Sequence, residues 1–443
     1  MKKLKVIALV LACALIFSGC SLMSIDPLMV QAQVVATVNS TPITRQQVEN
    51  EVMSTEEYSY YAYYYGMDEK ELKSGEMKEW YEGLLDKTLD EMVENELLLQ
   101  KAPELGISLT DDEKSEKRAL ADQQLSALKD QLRMQVESEL NPEPSPADDA
   151  SAIPSPSPSP AESAEPTSTP VPDPAIEAEV EKKYQEAMEK SGFTSDTYYE
   201  YLCNQAIVEK VKEQIKNEAS VSDEDVKKWY DDTLAAQQKE MEENPTAFST
   251  NMNSNLICTY VPEDTIAVKQ VLVKFKDTDL QEVAQKLYTD GKTAEAMELL
   301  EGEIASLMPT MSDIQQRLNS GENIDALIKE YNEDPGMTSG TSATIGYLVG
   351  ASTTGYVQEF TDAALKLKSI GEVSAPFASY YGLHVLQVIK VYNKGVVPFD
   401  DIKDQIKTAL LPSKQEEKLA NTAKQWLGEA KVTYDRGRLT NGE

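Results

Sequence analysis

Apolar positions along this chain change their period several times, and each change marks an element. Val34-Val-Ala-Thr-Val38 is a short run of strand composition, and Asn39 to Pro42 is turn-like. Thr44 stands where it can cap a following helix. From there to Leu140 the period is helical, with Leu85, Leu89, Met92, Val93 and Leu97 recurring at spacings of three and four. Thr110-Asp-Asp-Glu113 forms a capping box that opens a further helix. Helical patterning returns near Ala175 and runs to about Asn244, with a fresh start at Val221-Ser-Asp-Glu-Asp225. The period then shortens. Ile266 to Phe275 has strand composition, Met311 to Tyr331 is helical, and Gly382 to Lys390 is a second strand candidate. Residues 399–430 form a last amphipathic helical region, and Lys431 to Asp435 a closing strand. Short strands mixed with helices between residues 262 and 393 suggest a compact α+β domain.

Two stretches stand outside this pattern. Residues 141–174 hold 11 of the chain's 21 prolines and no Lys, Arg or aromatic residue. Such a segment cannot bury a core, so it reads as an extended, solvated, disordered insert. At the start, a basic Met1-Lys-Lys-Leu-Lys5 precedes a continuous apolar run from Val6 to Phe17, then Ser18-Gly19-Cys20. This is the layout of a secretory signal, too short to span a bilayer. Small residues immediately before a cysteine resemble a bacterial lipobox. That resemblance implies removal of residues 1–19 and a lipid on Cys20, anchoring the chain to the cell membrane from outside.

Composition narrows the function. The 443 residues suffice for two or three domains. With 42 Lys plus Arg against 76 Asp plus Glu, the net charge is −34. That balance argues against nucleic acid and against a polybasic membrane contact. One histidine, His384, and four cysteines cannot build a zinc site of the common kinds. No Gly-rich phosphate loop, nucleophile elbow or metal motif is present, and the reading calls for no cofactor. Cys203 and Cys258 remain after signal removal, as a disulfide or as two free thiols.

The region 266–393 carries a resemblance. Val268-Lys-Gln-Val-Leu-Val-Lys274 resembles the first strand of parvulin-type prolyl isomerases, usually written with histidine where Gln270 stands. Asp325 to Pro335 resembles the helix and loop that follow, and Ile345-Gly-Tyr-Leu348 the strand entering the active site. Phe360 to Lys368, Gly371 to Pro376 and Tyr381-Gly-Leu-His384 close the module, in that family's order. Val34 to Thr44, Glu94 to Gln100 and Leu105 to Asp112 are similar to the N-terminal region of SurA-like chaperones. Together with the lipobox, the chain resembles a PrsA-like foldase lipoprotein. The resemblance leaves out the Pro-rich insert and a second interruption near 277–309.

What the resemblance implies is specific. The expected architecture is α+β: a SurA-like helical chaperone domain (20–140 and 175–261) with an inserted parvulin-like domain (262–393). Residues 394–443 would pack back on the chaperone domain. Ile345, Tyr356 and Phe360 would line the proline socket. Gln270, Asp334, Ser379, Tyr381 and His384 would supply the polar set. A Gln amide both donates and accepts, so it can keep a hydrogen-bonded network while losing the ability to titrate. Thr344 departs from an Asp of the family pattern, and one extra residue stands near Ser369. The implied function is an extracytoplasmic foldase that binds unfolded exported proteins and isomerises X–Pro bonds. The alternative is a holdase of the same architecture with a degenerate isomerase site, which Gln270 favours. Two chains could pair as a homodimer. Tyr58-Ser-Tyr-Tyr-Ala-Tyr-Tyr-Tyr65 has six tyrosines in eight positions. On a helix they cannot all face one core, so part of the cluster is expected to line a client surface.

Overall fold

The computed structural model describes residues 32–140 and 174–440. The signal segment 1–19, Cys20 and all but the last residue of the 141–174 insert lie outside the described residues. The chain divides into two compact units, residues 1–219 with 415–443, and residues 220–414.

In the first unit, β1 (Val34–Val38) pairs antiparallel with β2 (Thr41–Thr44) and with the strand Val432–Tyr434. Thr44 caps the helix Arg45–Ser54 in a full capping box with Gln47. The long helix Lys78–Lys101 buries Leu85, Leu89, Val93 and Leu97 against Val35, Val38, Ile43, Val48 and Val52, the stripe its spacing foretold. Thr110 and Glu113 cap the helix Asp111–Leu140 reciprocally. That helix packs Leu128, Leu132 and Val136 against Val180 of the helix Pro174–Ser191. Arg133–Glu177 and Lys183–Glu139 ion pairs flank the seam. The helices on either side of the Pro-rich insert are therefore neighbours.

The tyrosine cluster is not one α-helix. Glu56–Ser59 is a short α-helical turn that widens into a π-helix at Tyr60–Tyr64. Tyr58 is buried in the core and Tyr61 packs against Trp80. Tyr63 and Tyr64 are 93% and 73% exposed, so most of this aromatic surface faces water.

The second unit is built on a four-stranded antiparallel sheet. Its order is β4 (Tyr347–Gly350), β3 (Thr265–Lys274), β6 (Gly382–Tyr392) and β5 (Phe377–Ser379). β3 lies inside the sheet and is buried over Thr265–Leu272, which explains its nearly unbroken apolar run. Alternation sorts its side chains. Val271 joins Leu383 and Val385 against Met311, Ile314 and Leu327 on two helices, Glu301–Asn319 and Ile324–Tyr331. Ile266, Val268, Leu386 and Val388 pack on the other face, with Phe360 and Ala364 of the helix Gln358–Ala364. Gln270 and His384 share the parity of this second face.

One element expected from the sequence is corrected. Met311–Tyr331 is two helices, interrupted at Gly321, whose φ of +90° ends the first one. The expected module of residues 262–393 falls within the unit of residues 220–414. The helix Asp223–Glu243 packs Val226 and Tyr230 on Ile402 and Ile406, and Gln237 is tied to Ile257 and Thr259. The last helix, Phe399–Glu429, is accordingly shared: its residues to Lys414 belong to this unit and those from Gln415 to the first. Cys203 and Cys258 are free thiols. Among the described residues, no helix is long and apolar enough to cross a membrane.

Candidate active site

The polar site grows from three neighbouring pieces of backbone. In the β3–β6 ladder Leu272 faces His384, so Gln270 is the diagonal same-face neighbour of the imidazole. On the other flank Phe377 of β5 faces His384, and the two rings stack at 5.0 Å and 9°. Ser379, two residues on, presents its hydroxyl to the same ring. The third piece is the loop after the helix Ile324–Tyr331. Asn332 accepts the Leu272 N–H at 2.9 Å, and the Glu333 N–H donates to the Leu272 carbonyl at 2.8 Å. These bonds hold Asp334 against β3. Asp334 Oδ1 accepts the Gly336 N–H at 2.9 Å, closing a tight turn around Pro335.

The side chains then link in a single line. Ser379 Oγ lies 2.7 Å from His384 Nε2, and His384 Nδ1 lies 2.8 Å from Gln270 Oε1. Gln270 Nε2 donates to Asp334 Oδ2 at 2.6 Å, and the Tyr347 hydroxyl donates to the same oxygen at 2.8 Å. Its polarity follows from donor counting. The Gln270 NH₂ must face the carboxylate, because its carbonyl there would meet acceptors only. The Gln270 carbonyl therefore accepts from His384, which fixes the Nδ1–H tautomer. A neutral Nε2 then accepts the Ser379 hydroxyl proton, while Ser379 Oγ accepts the Tyr381 N–H at 3.0 Å. Burial pushes the His384 pKa down to about 4, against a weaker upward pull from the Asp334 charge. The imidazole is neutral at pH 7. The Tyr347 phenol is pushed up, first by burial and then by its bond to Asp334.

Above this line sits a cavity of about 740 Å³. Tyr347, Tyr356 and Phe360 form one aromatic wall, with ring centroids 5.1–5.7 Å apart. Of the residues expected at the site, Gln270, Asp334, His384, Tyr356, Phe360 and Tyr381 all line this cavity. Ser379 is fully buried beneath it, behind His384. Tyr381 stands at the lip, 41% exposed.

Ile345 is the exception. It packs with Met241, Phe248 and Tyr392 and lines a different hollow. The cause is Gly346, whose φ of +82° turns the chain between the short helix Thr341–Ile345 and β4. A Cβ there would approach the Val268 carbonyl to 2.8 Å. Tyr347 therefore takes the wall position given to Ile345. Sequence reasoning missed Tyr347 and Phe377. Phe377 was findable, because it shares strand parity with Ser379.

The arrangement limits the chemistry. Ser379 and His384 form a nucleophile–base pair in outline, but Ser379 has no exposed surface and accepts a backbone N–H. It cannot attack a substrate in the cavity. Among the described residues no cluster of His, Cys, Asp and Glu could hold a metal ion. What remains is a hydrogen-bonded floor under an aromatic wall. It can bind an apolar ring and orient an amide without covalent chemistry.

Comparison with known proteins agrees with this geometry. Residues 292–390 match the PPIC-type PPIase domain, and residues 1–142 match the SurA-like N-terminal domain. Those two matches mark the class the chain is similar to: a SurA-like N-terminal domain followed by a PPIC-type peptidyl-prolyl isomerase domain. Among its relatives are foldase proteins named PrsA. That of Clostridium botulinum (strain Langeland) is 27% identical over 262 residues, covering 58% of this chain and 60% of the relative. That of Clostridium perfringens (strain ATCC 13124) is 29% identical over 260 residues, again 58% and 60%. These matches span about three fifths of the relatives' length. A further PrsA, from Clostridium botulinum (strain 657), is 23% identical over 428 residues, covering 96% and 95%. Among solved structures, PrsA from Bacillus subtilis shares 15% identity over 93% of this chain and 99% of its own, with a TM-score of 0.24, too low to bear on the fold.

Proposed function

We propose that this chain is an extracytoplasmic foldase, tethered to the membrane by a lipid on Cys20, that binds unfolded exported proteins and catalyses cis–trans isomerisation of X–Pro bonds. The observation that carries the reading is the aromatic-walled cavity floored by the Ser379–His384–Gln270–Asp334 line. Rotation about an X–Pro bond faces a barrier of about 18–20 kcal/mol and takes tens to hundreds of seconds uncatalysed. No bond need be made or broken. The site has only to bind the twisted amide better than the planar one. Phe360 and Tyr356 offer the pyrrolidine ring a face to pack on. The hydrogen-bonded floor supplies dipoles near a carbonyl that loses resonance as it turns. The PPIC-type domain match and the PrsA relatives point the same way.

The test is a proline-limited refolding assay with the full chain. Acceleration by the wild type, lost in His384→Ala, supports the reading. No acceleration by the wild type, with aggregation still suppressed, replaces it with the second reading, a holdase. Gln270, standing where the resemblance places a histidine, and the exposed Tyr63 and Tyr64 favour that second reading. The anchor is tested separately: Cys20→Ser should move the chain from the detergent phase to the aqueous phase of a cloud-point partition.

A further inference from the structure

We propose that Tyr288 is a specificity-determining residue of the prolyl site. With Tyr380 and Tyr381 it forms a second aromatic wall that takes an aromatic side chain adjoining the substrate proline. The inference rests on the isomerase reading above and deepens it. Tyr288 belongs to the helix Thr278–Thr289, inside the 277–309 interruption, and the PPIC-type match begins only at residue 292. Yet its side chain lines the same cavity as His384 and Phe360.

Its placement is held on two sides. The Tyr288 ring packs on Tyr380 at 5.0 Å, and Tyr380 packs on Tyr381 at 4.2 Å, so three rings run together along the cavity edge. The Tyr288 hydroxyl donates to Glu359 Oε2 at 2.7 Å and accepts the Gln358 N–H at 3.3 Å. Gln358 and Glu359 open the helix that carries Phe360. The interruption is therefore tied directly to the element that presents the proline socket.

Recognition chemistry follows from what these groups leave free. The Tyr288 hydroxyl is engaged both as donor and as acceptor, so Tyr288 offers the substrate its ring rather than its hydroxyl. About 740 Å³ is room for more than one pyrrolidine ring, so a neighbouring side chain fits too. Ring faces at 4–5 Å spacing suit an aromatic guest, which gains offset or edge contacts beyond simple burial. The competing group is Lys274, which also lines the cavity and would instead favour an acidic neighbour.

The experiment measures isomerisation of four peptides by exchange NMR with the full chain: Ala-Ala-Pro-Ala, Ala-Phe-Pro-Ala, Ala-Ala-Pro-Phe and Ala-Glu-Pro-Ala. Peptide titration gives binding in parallel. The expected result is a kcat/KM on the order of three- to tenfold higher for a Phe peptide than for Ala-Ala-Pro-Ala. In Tyr288→Ala that ratio should fall to within about twofold, while Tyr288→Phe keeps it. If Tyr288→Ala fails to fold, Tyr288→Leu, which retains bulk and lacks the ring, carries the same expectation. Equal rates across the Ala and Phe peptides, preference for the Glu peptide, or a preference that survives in folded Tyr288→Ala overturns the inference and leaves the isomerase reading standing. If the wild type accelerates no peptide, the isomerase reading falls and binding decides the inference. Phe-selective binding lost in Tyr288→Ala supports it, and unselective or absent binding overturns it.

Discussion

Acidifying the folded protein while watching its one histidine reads the polarity of the site directly. His384 is 2% exposed and its pKa lies at about 4, against 6.5 for an ordinary imidazole. That difference is worth about 3 kcal/mol between the charged and neutral folded forms. The sign is set by which state holds the proton. An unfolded chain protonates this residue near 6.5, and the folded chain only near 4. Between those values the unfolded state binds more protons, so stability falls as pH falls through the window. Above it this residue adds no pH dependence, and below it the loss saturates. ¹⁵N-histidine labelling of the full chain gives a single side-chain spin system. It should show protonated Nδ1 and bare Nε2 at neutral pH, with a midpoint well below 5. In urea unfolding, the pH slope of the wild type minus that of His384→Leu isolates the stability effect. A midpoint near 6.5 refutes the burial argument, and an Nε2–H tautomer at neutral pH refutes the donor assignment.

Three further outcomes follow from the same contacts. Gln270→Leu removes the bridge between His384 and Asp334 at a buried position. With one buried donor and one carboxylate oxygen left short, urea unfolding should show a loss of about 2–4 kcal/mol; under about 0.5 kcal/mol would mean that the line carries little stability. Gly336→Ala places a Cβ on the Tyr347 hydroxyl and should break its bond to Asp334, costing about 1–2 kcal/mol. Made in a Tyr347→Phe background the same change should cost much less, so equal losses in both backgrounds would show that the clash is not with the hydroxyl. Replacing Tyr60, Tyr63 and Tyr64 with Ser should leave unfolding within about 0.5 kcal/mol of wild type, since all three are exposed, while weakening aggregation suppression; unchanged suppression would remove the client-surface reading.

Where the sequence was read well, the signal was local. Thr44, Thr110 and Ser222 stand at helix starts because a short side-chain oxygen serves an N–H two or three residues on. The two long strands of the second unit, Thr265–Lys274 and Gly382–Tyr392, were legible as apolar runs between turns. Three features were not legible. Gly346 separates Ile345 from the cavity by turning the backbone where β3 comes close, a steric fact about a neighbour 78 positions earlier in the chain. Tyr288 lies in a stretch set aside as an interruption, and only packing brings its ring to Tyr380. The tyrosine run was read as an α-helix because composition does not distinguish that helix from the π-helical turn at Tyr60–Tyr64.

By itself, the order of residues determined the succession of helices and strands, the acidic surface and the pieces that resemble a prolyl isomerase, since propensity, capping and period act over a few positions. Tertiary structure decided which side chains meet: that Gln270, His384 and Ser379 fall on one face of three adjacent strands, that Asp334 is carried to them by a loop tied to β3, and that the histidine among them is neutral. The physical reason is that register and burial are properties of contacts between distant segments. A one-residue shift of either ladder would have sent the same residues to the opposite face.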